Sequence, residues 1–335
     1  MTIETYVGAF PLPLVVKTLR EFAVDYGRGG SRCVYVVYGN ILTREDRVLN
    51  NPQLLMKVMS HHGRMIKVDL PLTATGVMAG TNLRIFGLGG DPRLTAKIRM
   101  HGGLLYREVT ARQAFARALS GRVPLLGMPA VLEHDSRKGL WLVEQFVEAG
   151  HLNSSDIAAF LATCASDFYR ATARLRPVLR WRRHEEAIAD LVRAAPSFGT
   201  VPERGIWPVA LCHGDLLKHN VLRAADGRFW LIDLELSDVQ PVAMDLAHAF
   251  VEEPRLKAYV LEVLRRLGPS GKVLRPELQL ALGLAAELRK RQKRRASWIQ
   301  DQMKMFGKSR AEAEEIADAQ LVRIAELIRM LASPP

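Results

Sequence analysis

The hydrophobic periodicity of this chain changes character once, near residue 150, and that change limits the architectures open to it. Between residues 68 and 147 apolar positions fall in short β-branched and aromatic runs broken by turn chemistry. Residues 68–75, 81–88 and 94–100 read as strands, with Gly89-Gly90-Asp91-Pro92 as a turn between the last two. A helix is predicted over 104–119, stopped at Gly121, and a hairpin over 130–134 and 140–147 turning at 135–139. After Gly150 the period becomes helical. Ser154 or Ser155 can cap a helix reaching to about Arg176 and closed by Pro177; further helices are predicted over 185–195, 243–252, 255–267, 276–306 and 310–331. Ser309 and Glu312 form a capping box for the last of these. A strand-rich part followed by a helix-rich part predicts an α+β protein, not the strand–helix alternation of a doubly wound sheet. The expected organisation is an N-terminal extension over 1–65, a sheet-bearing part over 66–147 and a mainly helical part over 148–335. Inside the extension, Leu14, Val15, Thr18, Leu19 and Phe22 have helical spacing and Cys33–Tyr38 reads as a strand.

Composition narrows the function classes. The 335 residues are 48% hydrophobic and 24% charged, which suits a chain with a real core. No apolar run reaches the roughly 18 residues that a membrane helix needs. Met1–Thr5 carries Glu4 and no basic stretch, so a secretory signal is not expected. Cys33, Cys164 and Cys212 are too few and too scattered for a disulfide framework or a metal cluster, and a reduced cytoplasmic setting is expected. The net charge of +12 favours anionic partners such as phosphates, nucleic acid or a membrane surface.

The helical pattern breaks over 209–235, in the string His213-Gly214-Asp215-Leu216-Leu217-Lys218-His219-Asn220-Val221-Leu222. Asp215 precedes Asn220 by five residues, and the apolar run Phe229-Trp230-Leu231-Ile232 ends in Asp233, 13 residues beyond Asn220. Phosphoryl transfer asks for these groups. One carboxylate must receive or orient the proton of an attacking hydroxyl, and a second carboxylate with a neutral oxygen must hold Mg²⁺ on the triphosphate. Mg²⁺ takes hard oxygen ligands and keeps several waters, so two protein ligands suffice. A loop followed by a short hairpin brings Asn220 and Asp233 together.

The string resembles the His-Gly-Asp-x4-Asn motif of the aminoglycoside phosphotransferase and choline kinase family, which shares the protein-kinase fold. Ile232-Asp233-Leu234-Glu235 resembles that family's counterpart of the kinase Asp-Phe-Gly, and Pro241–Leu246 its next landmark. The resemblance covers roughly residues 70–260. It implies a two-lobed protein-kinase-like fold, with a small antiparallel-sheet lobe bearing one helix and a larger, mainly helical lobe. It also implies ATP and Mg²⁺ as cofactors, Asp215 as catalytic base, Asn220 and Asp233 as metal ligands, and Asp245 as structural support of the catalytic loop. His213 is expected to brace that loop. Lys218 could meet the γ-phosphate or stay solvated.

The small lobe is expected to cradle the nucleotide. Thr75–Asn82, with Gly76, Gly80, Thr81 and Asn82, loosely resembles the family's glycine-containing loop, glycines letting backbone N–H groups approach phosphates. Lys97, on the third strand, resembles the lysine that meets the α- and β-phosphates, and Glu108, 11 residues on, stands where its partner carboxylate is expected. Residues 144–147, including Glu144 and Phe146, would form the hinge whose backbone reads adenine. Rival motifs fail. Gly87-x-Gly89-Gly90 lacks the third glycine and a following helix, no Walker sequence is present, and His61-His62 has no companion ligand.

Arg289-Lys290-Arg291 and Lys293-Arg294-Arg295, with Trp298, lie on the long predicted helix. They read as a solvated face or, alternatively, as an anion site or peripheral membrane patch. A +12 protein repels a polycationic aminoglycoside unless local acids such as Glu252, Glu253 and Asp301 compensate. The expected acceptor is therefore a sugar, amino alcohol, or phosphorylated or lipid-linked glycan. A regulatory pseudokinase that binds nucleotide without transfer is the competing class. A nucleic-acid binder using the basic helix is disfavoured, since no aromatic-interleaved recognition motif accompanies it. A protein kinase is disfavoured too, since no Ala-Pro-Glu segment is present.

Overall fold

The computed structural model of the protein describes residues 6–7, 10–27, 32–38, 41–60, 66–79, 82–100, 105–151, 154–177, 182–198, 205–268, 273–306 and 308–332. It divides into two units, residues 1–109 with 129–148, and residues 110–128 with 149–335.

The first unit begins with a two-residue pair, β1 (Tyr6–Val7) and β2 (Phe10–Pro11), and helix α1 (Leu12–Tyr26). Strands β3 (Cys33–Tyr38) and β4 (Ile41–Arg44) follow, then the short helices α2 (Glu45–Leu49) and α3 (Pro52–Ser60), then β5 (Ile66–Leu70), β6 (Gly76–Ala79), β7 (Asn82–Phe86) and β8 (Leu94–Arg99). Helix α4 (Tyr106–Leu119), which passes into the second unit at Thr110, and strand β9 (Leu126–Gly127) of that unit are followed by the hairpin β10 (Val131–His134) and β11 (Trp141–Gln145) of the first. Eight strands make one antiparallel sheet in the order β10-β11-β8-β7-β6-β4-β3-β5. Strand β3 shows why the sheet is covered on both faces. Its residues alternate, Tyr35 and Val37 joining the cluster with α1, and Val36 and Tyr38 joining Val48 of α2 and Val58 of α3. On α1 the buried residues Leu12, Val15, Leu19, Phe22 and Ala23 recur at helical spacing, and that stripe meets Leu83, Ile85, Ala96 and Ile98 of the sheet.

Two expectations change here. Residues 1–65, set apart by sequence as an extension, supply β3 and β4 from within the sheet, β4 lying between β3 and β6. Their place is fixed by long-range register, which a short apolar run does not disclose. Gly76–Ala79, read as loop, is strand β6, pairing with β4 on one side and β7 on the other.

The second unit is mainly helical. It holds α5 (Ser154–Phe160), a π turn at Leu161–Ala165, α6 (Ser166–Arg170), α7 (Arg182–Ala194), α8 (Val242–Glu252), α9 (Lys257–Leu267), α10 (Pro276–Phe306) and α11 (Arg310–Ala332). Its small sheets are built from β12 (Ala149–His151), β13 (Arg174–Pro177), β14 (Ile206–Cys212), β15 (Val221–Ala224), β16 (Phe229–Leu231) and β17 (Asp238–Pro241), in the orders β12-β15-β16-β9 and β13-β14-β17. The helix predicted to run to Arg176 ends at Arg170. Thr172 Oγ1 takes the Leu211 N–H at 2.9 Å, and residues 174–177 pair as an edge strand with β14. The capping box at the start of α11 is formed, Ser309 N–H reaching Glu312 Oε2 at 2.8 Å and the Glu312 N–H returning to Ser309 Oγ at 3.3 Å. Helix α8 has Val242, Leu246, Ala247 and Phe250 in the core of this unit.

One close approach sets how α8 and α10 pack. A Cβ on Gly283 of α10 would lie 2.3 Å from the Ala243 carbonyl oxygen of α8, so only glycine allows the two helices to come this near. The antiparallel-sheet unit and the mainly helical unit are the two parts of the α+β organisation expected from the sequence. Among the described residues no helix is long and apolar enough to cross a membrane.

Candidate active site

In the second unit, β14 delivers the chain into a loop, and the hairpin β15–β16 returns it. Asp245 organises the loop from the first turn of α8. Its carboxylate accepts the backbone N–H groups of His213 and Gly214, each at 2.9 Å, and the Tyr169 hydroxyl at 2.9 Å. A fully buried carboxylate with three donors is a stable anchor. The ring of His213 spans the loop, Nε2 lying 2.8 Å from the Ile232 carbonyl while Nδ1 accepts the Asp215 N–H at 3.3 Å. Gly214 has φ +84°, and a Cβ there would fall 2.0 Å from the Leu236 carbonyl oxygen, so this position requires glycine.

Asp215 is thereby held with its carboxyl one-third exposed. The Asn220 amide nitrogen donates to Asp215 Oδ2 at 3.1 Å and to the Asp215 carbonyl at 2.8 Å. Asn220 is buried, and its backbone carbonyl takes the Ile232 N–H at 3.0 Å, so Asn220 and Asp233 stand together at the open end of the β15–β16 hairpin. Asp233 has φ 60° and ψ 50° and is the one non-glycine left-handed residue among those described. Such strained positions concentrate at functional sites.

Two residues that the sequence reading did not single out complete the constellation. His248 Nδ1 lies 3.6 Å from Asp215 Oδ1, an ion-pair distance too long for a direct hydrogen bond. Its Nε2 lies 3.0 Å from Glu287 Oε2. Glu287 is 7% exposed and is also met by Arg291 Nε at 2.7 Å and Lys290 Nζ at 3.6 Å. Burial alone would push the His248 pKa down, but Asp215 and Glu287 outweigh it and raise the imidazole to about 9. Burial alone would raise Glu287; His248, Lys290 and Arg291 outweigh it and hold the carboxyl at about 2. Asp215 follows the same logic, burial being overcome by His248 first, then His213 and His219, so that its pKa is lowered. At neutral pH a cationic His248 thus joins two anions. The available sequence signals were His248 three residues after Asp245 on one helix, and Glu287 inside the apolar stretch Leu284–Leu288. A buried Glu there needs a partner.

In the first unit, Lys97 on β8 and Glu108 on α4 form an ion pair of 2.6 Å at 1% and 0% exposure. Gly76 lies within strand β6, and Asn82 opens β7, buried and 3.4 Å from Arg99 Nη1. Gly80 and Thr81, expected to shape the nucleotide loop, lie outside the described residues, as do His61 and His62. Glu144 sits in β11, paired with Val131 and Thr95. Phe146 gives its N–H to the Arg93 carbonyl at 2.6 Å.

The basic run of α10 does not form a single cationic face. Arg289 pairs with Glu186 at 2.6 Å and Asp190 at 3.4 Å, Lys293 with Glu186 at 3.3 Å, and Arg295 with Asp318 at 2.7 Å.

Residues 130–280 match the model of the phosphotransferase enzyme family. Among curated proteins nothing matches the chain. Similar solved structures include a choline/ethanolamine kinase family protein from Mesorhizobium loti, at 18% identity, 75% of this chain and 90% of that one, with a TM-score of 0.46. Choline kinase LicA from Streptococcus pneumoniae is 15% identical over 74% of this chain and 91% of that one, with a TM-score of 0.45. A spectinomycin phosphotransferase in complex with ADP and spectinomycin is 14% identical over 75% and 91%, with a TM-score of 0.49. Asp215, Asn220, Asp233, Asp245 and His248 all lie within the stretch that matches the model of the phosphotransferase enzyme family.

Proposed function

We propose that this protein is an ATP- and Mg²⁺-dependent phosphotransferase that moves the γ-phosphoryl group to a hydroxyl of a small molecule. The observation that carries the reading is the Asp215 loop. It presents a partly exposed carboxylate, kept ionised by a buried imidazolium, next to a hairpin mouth bearing Asn220 and Asp233. Asp215 takes the proton of the acceptor hydroxyl as its oxygen attacks the γ-phosphorus, while the bond to the ADP oxygen breaks. Asn220 uses its amide nitrogen on Asp215, leaving its amide oxygen, with the Asp233 carboxylate, as a hard-oxygen pair suited to Mg²⁺. A Mg²⁺ ion held there would supply charge neutralisation on the triphosphate.

His248 is a positioning residue. It orients Asp215 and keeps it unprotonated without touching the acceptor. His213 and Asp245 fix the loop backbone. Lys97 meets the α- and β-phosphates, and Glu108 aims its ammonium group. Gly76, Gly80, Thr81 and Asn82 border the nucleotide, with Glu144 and Phe146 near the adenine. A sugar, amino alcohol or glycan-type acceptor ranks ahead of an aminoglycoside because the chain carries +12. A cytoplasmic setting supplies the nucleotide.

The test is ADP release from ATP and Mg²⁺ over a panel of hydroxylated acceptors. Asp215→Asn should lower kcat by about 10²–10⁴-fold, with ATP binding and thermal unfolding little changed. Unaltered turnover in Asp215→Asn would refute the role of the loop. ATP binding with no ADP release on any acceptor would make the protein a nucleotide-binding regulator instead.

A further inference from the structure

Along α10 the cations sort by helical spacing, and the sorting leaves two of them over. Arg289 and Lys293 face the acids of α7, and Arg291 and Arg295 face Glu287, Gln320 and Asp318. Lys290 and Arg294 form the remaining i,i+4 pair, and Trp298 extends the same stripe by one more turn. Lys290 reaches only Glu287, at 3.6 Å, and that carboxylate already serves Arg291 and His248. Among the described residues the Arg294 guanidinium meets no carboxylate. Like charges at this spacing repel, so the helix keeps them at a cost.

These side chains open onto a pocket of about 320 Å³ between α10 and α11, whose lining includes Lys290, Arg291, Arg294, Arg295, Trp298 and Glu287. That volume is at the lower end of small-ligand sites. Arg294, which meets no carboxylate among the described residues, and Lys290, held only at 3.6 Å by a carboxylate it shares, stand beside a partly buried indole and match an anion attached to a ring: the cations take the charge and the indole takes the ring face. Glu287 belongs both to the pocket lining and to the chain that runs through His248 to Asp215. The pocket is one carboxylate and one imidazole away from the proposed base.

We propose that this pocket is an anion-binding site for a phosphomonoester carried on a ring, gripped by Lys290 and Arg294 and stacked on Trp298. Binding there does not depend on the transferase reading; the tie to turnover rests on it. The phosphomonoester belongs either to the acceptor itself or to a separate effector, and turnover assays distinguish them.

The probe is phenyl phosphate, with phenol as its neutral counterpart, titrated against the full chain by tryptophan fluorescence. Phenyl phosphate should give a saturable change that phenol does not, absent in Trp298→Phe. The double variant Lys290→Gln/Arg294→Gln should weaken binding about tenfold or more. Equal response to phenol, or unchanged affinity in the double variant, overturns the site. In the ADP-release assay, an acceptor origin predicts a KM for phosphorylated sugars that rises in Arg294→Gln, a cation outside the Glu287 chain, by about tenfold while that for neutral sugars holds. An effector origin predicts that phenyl phosphate, which has no hydroxyl to phosphorylate, alters turnover of a neutral acceptor in the parent and not in the double variant. Saturable binding with neither effect overturns the tie to turnover. Binding intact while Asp215→Asn leaves turnover unchanged sinks the transferase reading alone; Asp215-dependent turnover with no binding sinks the pocket alone.

Discussion

The two units each bury a charged constellation, and the two are built differently. Lys97 and Glu108 make a closed pair, one cation and one anion at 2.6 Å with almost no exposure on either side. Asp215, His248 and Glu287 make a chain open at both ends, running from a one-third exposed carboxylate through an imidazole to a carboxylate shared with Lys290 and Arg291. The desolvation of such a buried pair is offset while both partners remain, and the pair ties β8 to the start of α4. A chain that surfaces at each end can exchange a proton or a ligand at one end and pass the electrostatic consequence to the other.

Lys97→Met removes the cation from a buried carboxylate and should cost about 3–5 kcal/mol of stability, read by denaturant unfolding. Lys97→Met with Glu108→Leu should recover much of that stability while phosphoryl transfer stays lost. If the double variant regained activity, the pair would be scaffolding and nothing more.

The chain should respond through pH. His248 rises from 6.5 to about 9 on folding, so its contribution is complete below about 6.5 and disappears as pH climbs through 9. Glu287 falls from 4.5 to about 2, so its contribution is present above about 4.5 and is lost as pH drops toward 2. Stability should therefore decline between pH 6.5 and 9 by up to about 3 kcal/mol, and His248→Gln should flatten that decline. Removing the imidazolium also raises the Asp215 pKa, so the acid limb of the kcat profile should move to higher pH. An unmoved limb would show that His248 does not govern the base.

Gly283→Ala offers the smallest and most local perturbation. The added methyl meets the Ala243 carbonyl and should cost about 1–3 kcal/mol by overpacking. Because it forces α8 from α10, it should narrow the pH 6.5–9 decline without touching a charged group.

How far the sequence discloses these features depends on the range of the interactions. The Asp215–Asn220–Asp233 string is local, spread over one loop and one hairpin, and it can be read directly. The Lys97–Glu108 pair is readable because a strand and the next helix place both residues within 11 positions. His248 and Glu287 lie 39 residues apart, and their meeting depends on a helix crossing that a single glycine permits. No local pattern encodes that. The basic run misleads for the same reason. In sequence it is one patch, but in the fold each turn of α10 turns a different cation toward a different partner. The place of β3 and β4 inside the sheet was hidden because membership of a sheet is settled by distant register.

The left-handed backbone of Asp233 carries a lesson for anyone evolving this protein toward heat resistance. An L-residue there sits about 1–2 kcal/mol above what glycine would feel, so a screen that rewards durability alone should enrich glycine at that codon. On the proposed reading each such winner would trade its grip on the magnesium ion for a higher melting point, and the hardiest clones of the library would be its dead ones.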